Sequence, residues 1–361
     1  MYGISRRGLL QSGVAAGVLA ATGLPLKAQT RGGKLTAGLS GANTSDTWDA
    51  RTHTDLFMIA SAQGAVFDSL TEVAADGSLV GELAESWGSA DAKTWTFILR
   101  QGVTFHNGKS FGADDVIASL QMHLGEESKS AAKPIVSAIE TMTKVTDHQV
   151  QFVLTSANAD FPYLMSDYHI LMYPAGQIDE AIANGIGTGL YQVTSFDPGV
   201  RMTASRYIDH YKGDSAGFFD EIEYIAINDN VARMNALMTG QVDTINRIDL
   251  KTESLLRANP ALRIQEVTGN QHYTMPMLTN VAPYNDINVR KALKYGINRQ
   301  ELVDKILLGH GAVGNDTPIG PANQYYHAEM EQLEYDPDQA KFYLQQAGFD
   351  SIDIDFSASN A

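Results

Sequence analysis

Alternation of hydrophobic and polar residues predicts a series of short strands in two clusters. The first cluster covers residues 33–39, 93–100 and 103–105, and the second covers 190–196, 201–205 and 221–227. Trp95 and Phe97 fall on one face of their strand. Asn107-Gly108 supplies a tight turn in the first cluster, and Asp197-Pro198-Gly199 supplies one in the second.

Hydrophobic residues at helical spacing predict helices between and after these strands. Asp114 or Asp115 is expected to cap a helix whose apolar positions are Val116, Ile117, Leu120 and Leu124. Asn228-Asp229 caps another helix, which ends at Gly240 before a short strand at 242–245. This strand, helix, strand order predicts a βαβ-like unit. Three further helices are predicted at 289–295, at 300–308, and from Asp336-Pro337 to Gly348.

The last residues predict an alternating strand that lacks a partner. Residues 352–356 place Ile352, Ile354 and Phe356 on one face and two aspartates on the other. An unpaired, half-apolar strand exposes both side chains and backbone groups. We therefore expect the last lobe of the fold to be incomplete in this chain.

Composition narrows the class of protein. The 361 residues are 44% hydrophobic and 19% charged, which is typical of a globular chain of two or three domains. The formal net charge of −16 disfavours binding to nucleic acid, which requires a basic surface. The chain has no cysteine, so disulfides, thiolate metal sites and a lipid-anchored cysteine are excluded for this sequence.

Residues 1–28 have the pattern of an export signal. Arg6-Arg7 precedes an uncharged stretch rich in Ala, Gly, Val and Leu at 12–26, which ends before Ala28. The paired arginines resemble the signals read by the twin-arginine translocon, Tat. A retained membrane anchor is the alternative, but the run is shorter than the roughly 20 apolar residues that a span requires. We expect an exported, soluble protein of the periplasm.

Motifs for catalysis are lacking in the sequence. It contains no nucleophile elbow, zinc-protease helix or P-loop, and its nine histidines are scattered. Residues 185–189 are rich in glycine but lead into a strand, so a turn is favoured over a phosphate site. His106 beside the Asn107-Gly108 turn is interpreted as structural. We expect no enzyme activity, no cofactor and no metal site, with a secreted hydrolase or a chaperone-like protein as alternatives.

Several segments in order resemble extracellular solute-binding protein family 5, the dipeptide- and oligopeptide-binding components of ABC importers. The matching text includes Leu83-Ala84-Glu85-Ser86-Trp87, Phe105-His106-Asn107-Gly108-Lys109, Gly187-Thr188-Gly189, Ala232-Arg233-Met234-Asn235-Ala236-Leu237 and Val289-Arg290-Lys291-Ala292-Leu293. Before Pro283, the chain has Leu278-Thr279 where the family usually has Asn-Thr.

The resemblance implies an α/β, two-lobe periplasmic-binding-protein fold of type II with an inserted α+β subdomain. Lobe I would comprise residues 29–66 and 185–267, the insertion 67–184, and an incomplete lobe II 268–361. A solute would close between the lobes and pass to an ABC permease in the inner membrane, with the protein acting as a monomer. Short peptides are the first ligand class, and nickel chelates, saccharides and opine-like molecules are the alternative.

The candidate ligand-binding residues lie in two segments. The loop after the first strand offers Trp48, Asp49 and His53, and a crossover strand offers His272, Tyr273 and Met275. Trp48 stacks on a ligand or packs against the inserted subdomain, and Asp49 is an anchor or a solvated carboxylate. Met275 and Met277 share a face that is either core or pocket wall.

Overall fold

The computed structural model describes residues 31–266, 272–321, 323 and 325–355. Their contacts form two compact units. The first unit comprises the described residues of Met1–Thr71 and Gly81–Asn246, and the second those of Glu72–Val80 and Arg247–Ala361. The predicted export signal, residues 1–28, lies outside the described residues. Among the helices that are described, none is both long enough and apolar enough to span a membrane.

Most of the predicted elements form, and the structure adds others that the sequence patterns did not predict. The described strands are β1 (Lys34–Leu39), β2 (Thr71–Val73), β3 (Leu79–Gly81), β4 (Ala84–Gly88), β5 (Thr94–Leu99), β6 (Ile139–Thr146), β7 (Gln149–Leu154), β8 (Tyr191–Asp197), β9 (Arg201–Arg206), β10 (Glu221–Ala226) and β11 (Thr244–Ile245). The described α-helices are α1 (Leu56–Ser61), α2 (Ala113–Gln121), α3 (Lys133–Ser137), α4 (Phe161–Leu164), α5 (Ile178–Asn184), α6 (Asn230–Met238), α7 (Glu253–Arg257), α8 (Ile287–Gly296), α9 (Arg299–Lys305) and α10 (Pro337–Gln346).

A five-stranded sheet of order β11-β1-β10-β9-β8 organises the first unit. Strands β10 and β11 both run parallel to β1, whereas β10, β9 and β8 are antiparallel neighbours. Helix α6 connects β10 to β11, which confirms the βαβ-like unit, and its N-cap Asp229 accepts a hydrogen bond from the Ala232 N–H at 2.7 Å. The five strands lie within 29–66 and 185–267, but the first unit ends at Asn246.

A four-stranded antiparallel sheet of order β4-β5-β7-β6 forms the other part of the first unit. Trp95 and Phe97 are buried on one face of β5, as predicted, and Phe97 packs edge-on against Phe152 and Phe161. The predicted cap of α2 is wrong. The N-cap is Gly112, whose N–H donates to the Asp115 carboxylate at 2.9 Å from within the first turn.

Two other predicted strands, one in each unit, do not form. Residues 103–105 form only one isolated bridge, between Thr104 and Ser110, although the turn at Gly108 is present with φ of 85°. Residues 351–355 form no strand, because no described neighbour supplies a ladder of hydrogen bonds, and Phe356 lies outside the described residues. The alternation of hydrophobic residues alone does not create a strand.

Helices dominate the second unit. Helices α8 and α10 pack together, and the rings of Tyr295 and Tyr343 stack with centroids 5.7 Å apart. Asp336 caps α10 by accepting hydrogen bonds from the N–H groups of Asp338 and Gln339, which confirms the predicted start of this helix. Residues 272–278 form no strand, so the predicted crossover strand is absent from the described residues.

Candidate ligand site

The carboxyl ends of three parallel strands meet at one edge of the five-stranded sheet. Strands β10, β1 and β11 all end at this edge. They continue into the loops at 227–229, 40–49 and 246–249, respectively. Ligands of open α/β sheets bind outside such carboxyl ends, because the loops there diverge and leave a crevice. This edge is therefore the place in the first unit where a ligand site is expected.

Side-chain amides of two asparagines connect the three loops by hydrogen bonds. The N–H of Gly41 donates to Asn228 Oδ1 at 2.8 Å, and Asn228 Nδ2 donates to the carbonyl of Ala42 at 3.0 Å. Asn246 makes the matching pair, accepting from the N–H of Ser40 at 3.1 Å and donating to Ser40 Oγ at 2.9 Å. The loop after β1 is thus tied to both of the neighbouring loops.

A buried arginine joins the loops after β10 and β11 to the helix between them. Arg233 is 1% exposed, and its guanidinium donates to the carbonyls of Asn246 at 3.0 Å, Ile227 at 2.6 Å and Asn228 at 3.2 Å. Hydrogen bonds from a charged donor each contribute about 1.5–3 kcal/mol. Arg233 therefore holds the loops after β10 and β11 in place at the carboxyl edge of the sheet.

A small polar cavity of about 90 Å³ opens in the loop that follows β1. Its lining contains hydroxyl, carboxylate, amide and imidazole groups and one thioether, supplied by Asn43, Ser45, Asp46, Thr47, Thr52, His53, Thr54, Asp55 and Met58. This space exceeds the roughly 10–15 Å³ that a cavity needs to hold one water molecule. The cavity can hold a small polar group of a ligand.

His53 lines this cavity, and its ring carries a buried acceptor without a partner among the described residues. The side chain is 2% exposed, and its Nε2 donates to the carbonyl of Thr47 at 3.0 Å. Burial lowers the pKa of His53 to about 4, so the ring is neutral at pH 7 and Nδ1 carries a lone pair. Within the described part of the chain, Nδ1 has no hydrogen-bond partner. Such an orphaned group costs about 1–3 kcal/mol unless a ligand or water satisfies it.

Two carboxylates line the same cavity. Asp46 accepts a hydrogen bond from the N–H of Asn43 at 2.8 Å, and burial together with the charge of Asp55 raises its pKa. No basic side chain among the described residues pairs with Asp46 or Asp55. The cavity lining therefore carries negative charge without a basic partner in the part of the chain that is described, which favours a positively charged ligand group.

The predicted anchor Asp49 forms an ion pair with Arg51. It accepts hydrogen bonds from Arg51 Nε at 2.8 Å and Nη2 at 2.7 Å, and it caps the short 3-10 helix Ala50–Thr52. Burial raises the pKa of Asp49, but the hydrogen bonds and charge of Arg51 outweigh it, and the pKa is lowered. Asp49 does not line the cavity, so it organises the loop.

Trp48 lies in the core of the first unit rather than at a surface. The side chain is 2% exposed, and its ring lies 4.6 Å from that of Phe196 and 6.2 Å from that of Phe67. Its carbonyl accepts a hydrogen bond from the Tyr173 hydroxyl at 2.6 Å. In this arrangement the indole has no free face on which a ligand can stack, in accord with the packing interpretation.

The other three predicted residues belong to the second unit. His272, Tyr273 and Met275 are exposed, with Tyr273 at 76% and Met275 at 46%. Met275 contributes to a cavity of about 390 Å³ that is also lined by Leu302, Ile306 and Tyr335. Because the crossover strand does not form, the predicted shared face of Met275 and Met277 has no basis in the described backbone.

The glycine-rich segment 185–189 is a point of close packing in the first unit. His106 Nε2 donates to the carbonyl of Gly189 at 2.9 Å, which supports its structural interpretation. A Cβ added at Gly187 would lie 2.1 Å from the Val66 carbonyl oxygen. Among the described residues, no group of three or more His, Asp or Glu side chains is suited to hold a metal ion.

The sequence interpretation missed Asp46 and Asp55. These two residues flank the candidates Trp48, Asp49 and His53, but nothing in the sequence separates their carboxylates from that of Asp49. The one available signal was Arg51, two residues after Asp49, because a neighbouring base can neutralise that carboxylate and leave the others free.

Comparisons with known proteins identify relatives along most of the chain. Residues 78–357 match the model of the bacterial extracellular solute-binding proteins, family 5 Middle. The nickel-binding periplasmic protein of Escherichia coli is 29% identical over 306 residues, covering 80% of this chain and 56% of that protein. The dipeptide-binding protein of Escherichia coli is 27% identical over 307 residues, covering 75% of this chain and 56% of that protein.

Solved structures share the fold. The periplasmic binding protein DppA from Helicobacter pylori, in complex with the peptide STSA, has a TM-score of 0.72 and 22% identity over 89% of this chain and 67% of that one. A nickel ABC transporter structure from Bacillus halodurans has a TM-score of 0.69 and 26% identity over 87% of this chain and 63% of that one. The predicted periplasmic-binding-protein fold is confirmed.

The chain spans about half the length of the curated relatives that it matches, 56% of each of the two from Escherichia coli. The family model nevertheless covers more than half of this chain, from residue 78 to residue 357. The chain therefore belongs to family 5 of the bacterial extracellular solute-binding proteins.

Proposed function

We propose that the protein is the periplasmic solute-binding component of an ABC importer, which captures a small solute and delivers it to a membrane permease. Membership of family 5 supports this role. The observation that carries the proposal within the structure is the polar cavity of Asp46, His53 and Asp55 at the carboxyl edge of a parallel sheet. Recognition of a soluble ligand requires such convergent polar groups.

Short peptides are the solute class that we favour. Relatives named as dipeptide-binding and di/tripeptide-binding proteins are 27% and 28% identical to this chain. A peptide presents amino, amide and carboxylate groups, and the donors and acceptors of the cavity lining match groups of this kind. In this account His53 contacts the ligand, and Tyr273, His272 and Met275 are proposed contacts from the second unit.

A non-peptide solute is the second candidate. The nickel-binding relative, at 29% identity, is as similar to this chain as the peptide-binding relatives. Nickel chelates, saccharides and opine-like molecules therefore belong in the same screen. The transport role is the same for each of them, and only the ligand differs.

A thermal-shift screen tests the proposal. The purified protein is heated with di- to pentapeptides, nickel chelates, saccharides and opine-like compounds. A solute that binds only the folded state raises the unfolding midpoint in a saturable manner, by an amount that grows with its concentration over Kd. We expect short peptides to give the largest shift. A shift with none of these classes contradicts the proposed role, and product formation in the presence of chromogenic peptides or esters would favour a secreted hydrolase.

A further inference from the structure

We propose that His169 works in its doubly protonated form as a tie that positions the loop after β1, and that the loss of one of its protons loosens this loop. The loop carries the polar cavity described above, so the tie makes the geometry of the candidate site sensitive to pH. The effect on ligand affinity rests on the proposed solute-binding function, whereas the tie itself can be measured without a ligand.

The hydrogen-bond partners of His169 carry the first step of the argument. The side chain is 7% exposed, its Nδ1 lies 2.7 Å from Asp167 Oδ1, and its Nε2 lies 2.8 Å from the carbonyl oxygen of His53. A carbonyl oxygen and an ionised carboxylate can only accept hydrogen bonds. A neutral imidazole has one N–H and can donate to just one of them. Both bonds therefore form together only when the ring is an imidazolium.

The carboxylate of Asp167 is ionised in this arrangement. Burial raises the pKa of Asp167, but the hydrogen bonds from the ring and from the backbone of His169, together with the charge of the ring, outweigh it, and the pKa is lowered. The backbone N–H of His169 donates to Asp167 Oδ1 at 2.9 Å, which holds the carboxylate beside the ring. A carboxylate in this position favours the charged form of the imidazole.

The surrounding groups leave the charge on His169 rather than on its neighbours. Burial is the main cause that lowers the pKa of His53 and of His123 to about 4, and the charge of His169 acts in the same direction. Both rings therefore stay neutral in the folded protein above about pH 6. The other titratable or charged side chains around this cluster are Asp49, Arg51, Asp55 and Tyr168. Carboxylates, guanidinium and phenol of these types keep one charge state between about pH 6 and pH 9.

The carbonyl of His53 is the point at which the tie acts on the site. Residues 52–55 line the polar cavity, so the backbone that His169 holds is part of the cavity wall. When the ring loses one proton, either this carbonyl or the carboxylate of Asp167 loses its donor. A buried acceptor without a donor costs free energy, which favours movement of the loop.

The contacts earlier in the loop do not share this response. The Tyr173 hydroxyl donates to the carbonyl of Trp48 at 2.6 Å and accepts from the N–H of Ala50 at 3.0 Å. Burial raises the pKa of Tyr173, so these bonds stay unchanged near neutral pH. The pH response is therefore expected at the His53 end of the loop.

A ¹⁵N spectrum of the purified protein tests the protonation of the ring and its effect on the loop together. The ring resonances of His169 are identified by their absence in His169→Gln. We expect both nitrogens to be protonated at about pH 6, and one of them to lose its proton by about pH 9. The amide of Thr54, whose peptide group contains the His53 carbonyl, should shift with the same midpoint. A ring with one proton at the lower pH or two at the higher pH overturns the proposal, and so does a Thr54 amide that does not follow the ring.

Asp167→Asn separates the proposal from a merely structural role of His169. The amide removes the charge that stabilises the imidazolium, so the midpoints of the ring and of Thr54 should both move to lower pH. His327→Gln is the matched control, because it changes an exposed histidine of the second unit and should move neither midpoint. The unfolding midpoint of each variant establishes that it is folded. Midpoints that Asp167→Asn leaves in place overturn the proposal.

Titration calorimetry with dialanine measures the consequence for the site. Between about pH 6 and pH 9, the affinity of the wild type should fall about tenfold more than that of His169→Gln. The comparison cancels the titration of the peptide's own amino group. Equal falls in both proteins overturn the positioning role while leaving the proposed function intact. If dialanine binds at neither pH but the ring and the Thr54 amide titrate together, the tie is supported and the peptide assignment is contradicted.

Discussion

Acidification from pH 7 to pH 5 should destabilise the first unit, because two buried histidines must gain protons when the unit unfolds. Burial lowers the pKa of His53 to about 4 and that of His123 to about 4. His123 is 0% exposed, its Nδ1 bonds with Ser130 Oγ at 2.6 Å, and its Nε2 has no partner in the described residues. Both rings therefore stay neutral in the folded protein at pH 5.

The sign of the effect follows from the unfolded state. An exposed histidine has a pKa near 6.5. At pH 5 these two histidines are therefore protonated in the unfolded chain but neutral in the folded chain. Stability is therefore full above pH 6.5 and is lost as the pH falls towards 4. With these two pKa values, each histidine removes about 2 kcal/mol between pH 7 and pH 5, and both together remove about 4 kcal/mol.

Other titrating groups either act outside this pH window or modify the effect of the histidines, and the raised pKa of Asp46 opposes that effect as the pH falls. Arg51 and His169 disfavour the charged form of His123, whereas Asp49 and Asp167 favour it to a smaller extent. The pKa values of Asp49 and Asp167 are lowered from 3.8, so the stability that these carboxylates contribute is lost only below about pH 4. His106, whose pKa burial also lowers, acts in the same direction as the two histidines.

Urea unfolding followed by tryptophan fluorescence measures this loss. The three tryptophans, Trp48, Trp87 and Trp95, all lie in the first unit, so the signal reports on that unit. His53→Gln with His123→Gln should flatten the pH dependence by about 4 kcal/mol, and His327→Gln, at an exposed site in the second unit, should not. An equal free energy of unfolding at pH 7 and pH 5 would refute the reasoning, and so would a double variant with the wild-type slope.

Further predictions concern the loops, the close packing and export. Arg233→Met should lower the free energy of unfolding by about 3–5 kcal/mol in urea, because buried carbonyls lose their donors, and Arg233→Lys should lose less. Gly187→Ala should lower the unfolding midpoint, since its Cβ would meet a backbone oxygen at 2.1 Å, whereas Gly64→Ala has open space and should not. Replacing Arg6 and Arg7 by lysine should block export in a fractionation assay; unchanged export would indicate the general secretory route.

Local patterns in the sequence were sufficient to predict β1, β5 and β8 to β11 in the first unit, together with α2 and α6, but not β4, β6 or β7. The turn after β8, the cap at Asp229 and the start of α10 at Asp336 depend on neighbouring residues, so the sequence contains the necessary information. The cap of α2 was misjudged because Gly112 can take the capping position while Asp115 binds it from inside the helix. Whether a glycine or a nearby aspartate occupies the N-cap position depends on backbone geometry, which the sequence pattern does not give.

The site was harder to predict because it depends on contacts between distant residues. Trp48 looked available in a polar loop, but Phe196, far away in the chain, covers its ring. Asp46 and Asp55 become a pair only when the loop after β1 folds around one cavity. The strand expected at 272–278 needed a hydrogen-bonded neighbour, which a pattern of alternating residues cannot supply.

Titration calorimetry of the purified protein with dialanine tests the central claim most directly. The account predicts saturable binding at one site per chain, with at least about tenfold loss of affinity in the Asp46→Asn and Asp55→Asn double variant. Saturable binding that both substitutions leave unchanged would place the ligand away from this cavity. The absence of saturable heat with dialanine, and with every other solute that passes through the thermal-shift screen, would contradict the solute-binding function itself.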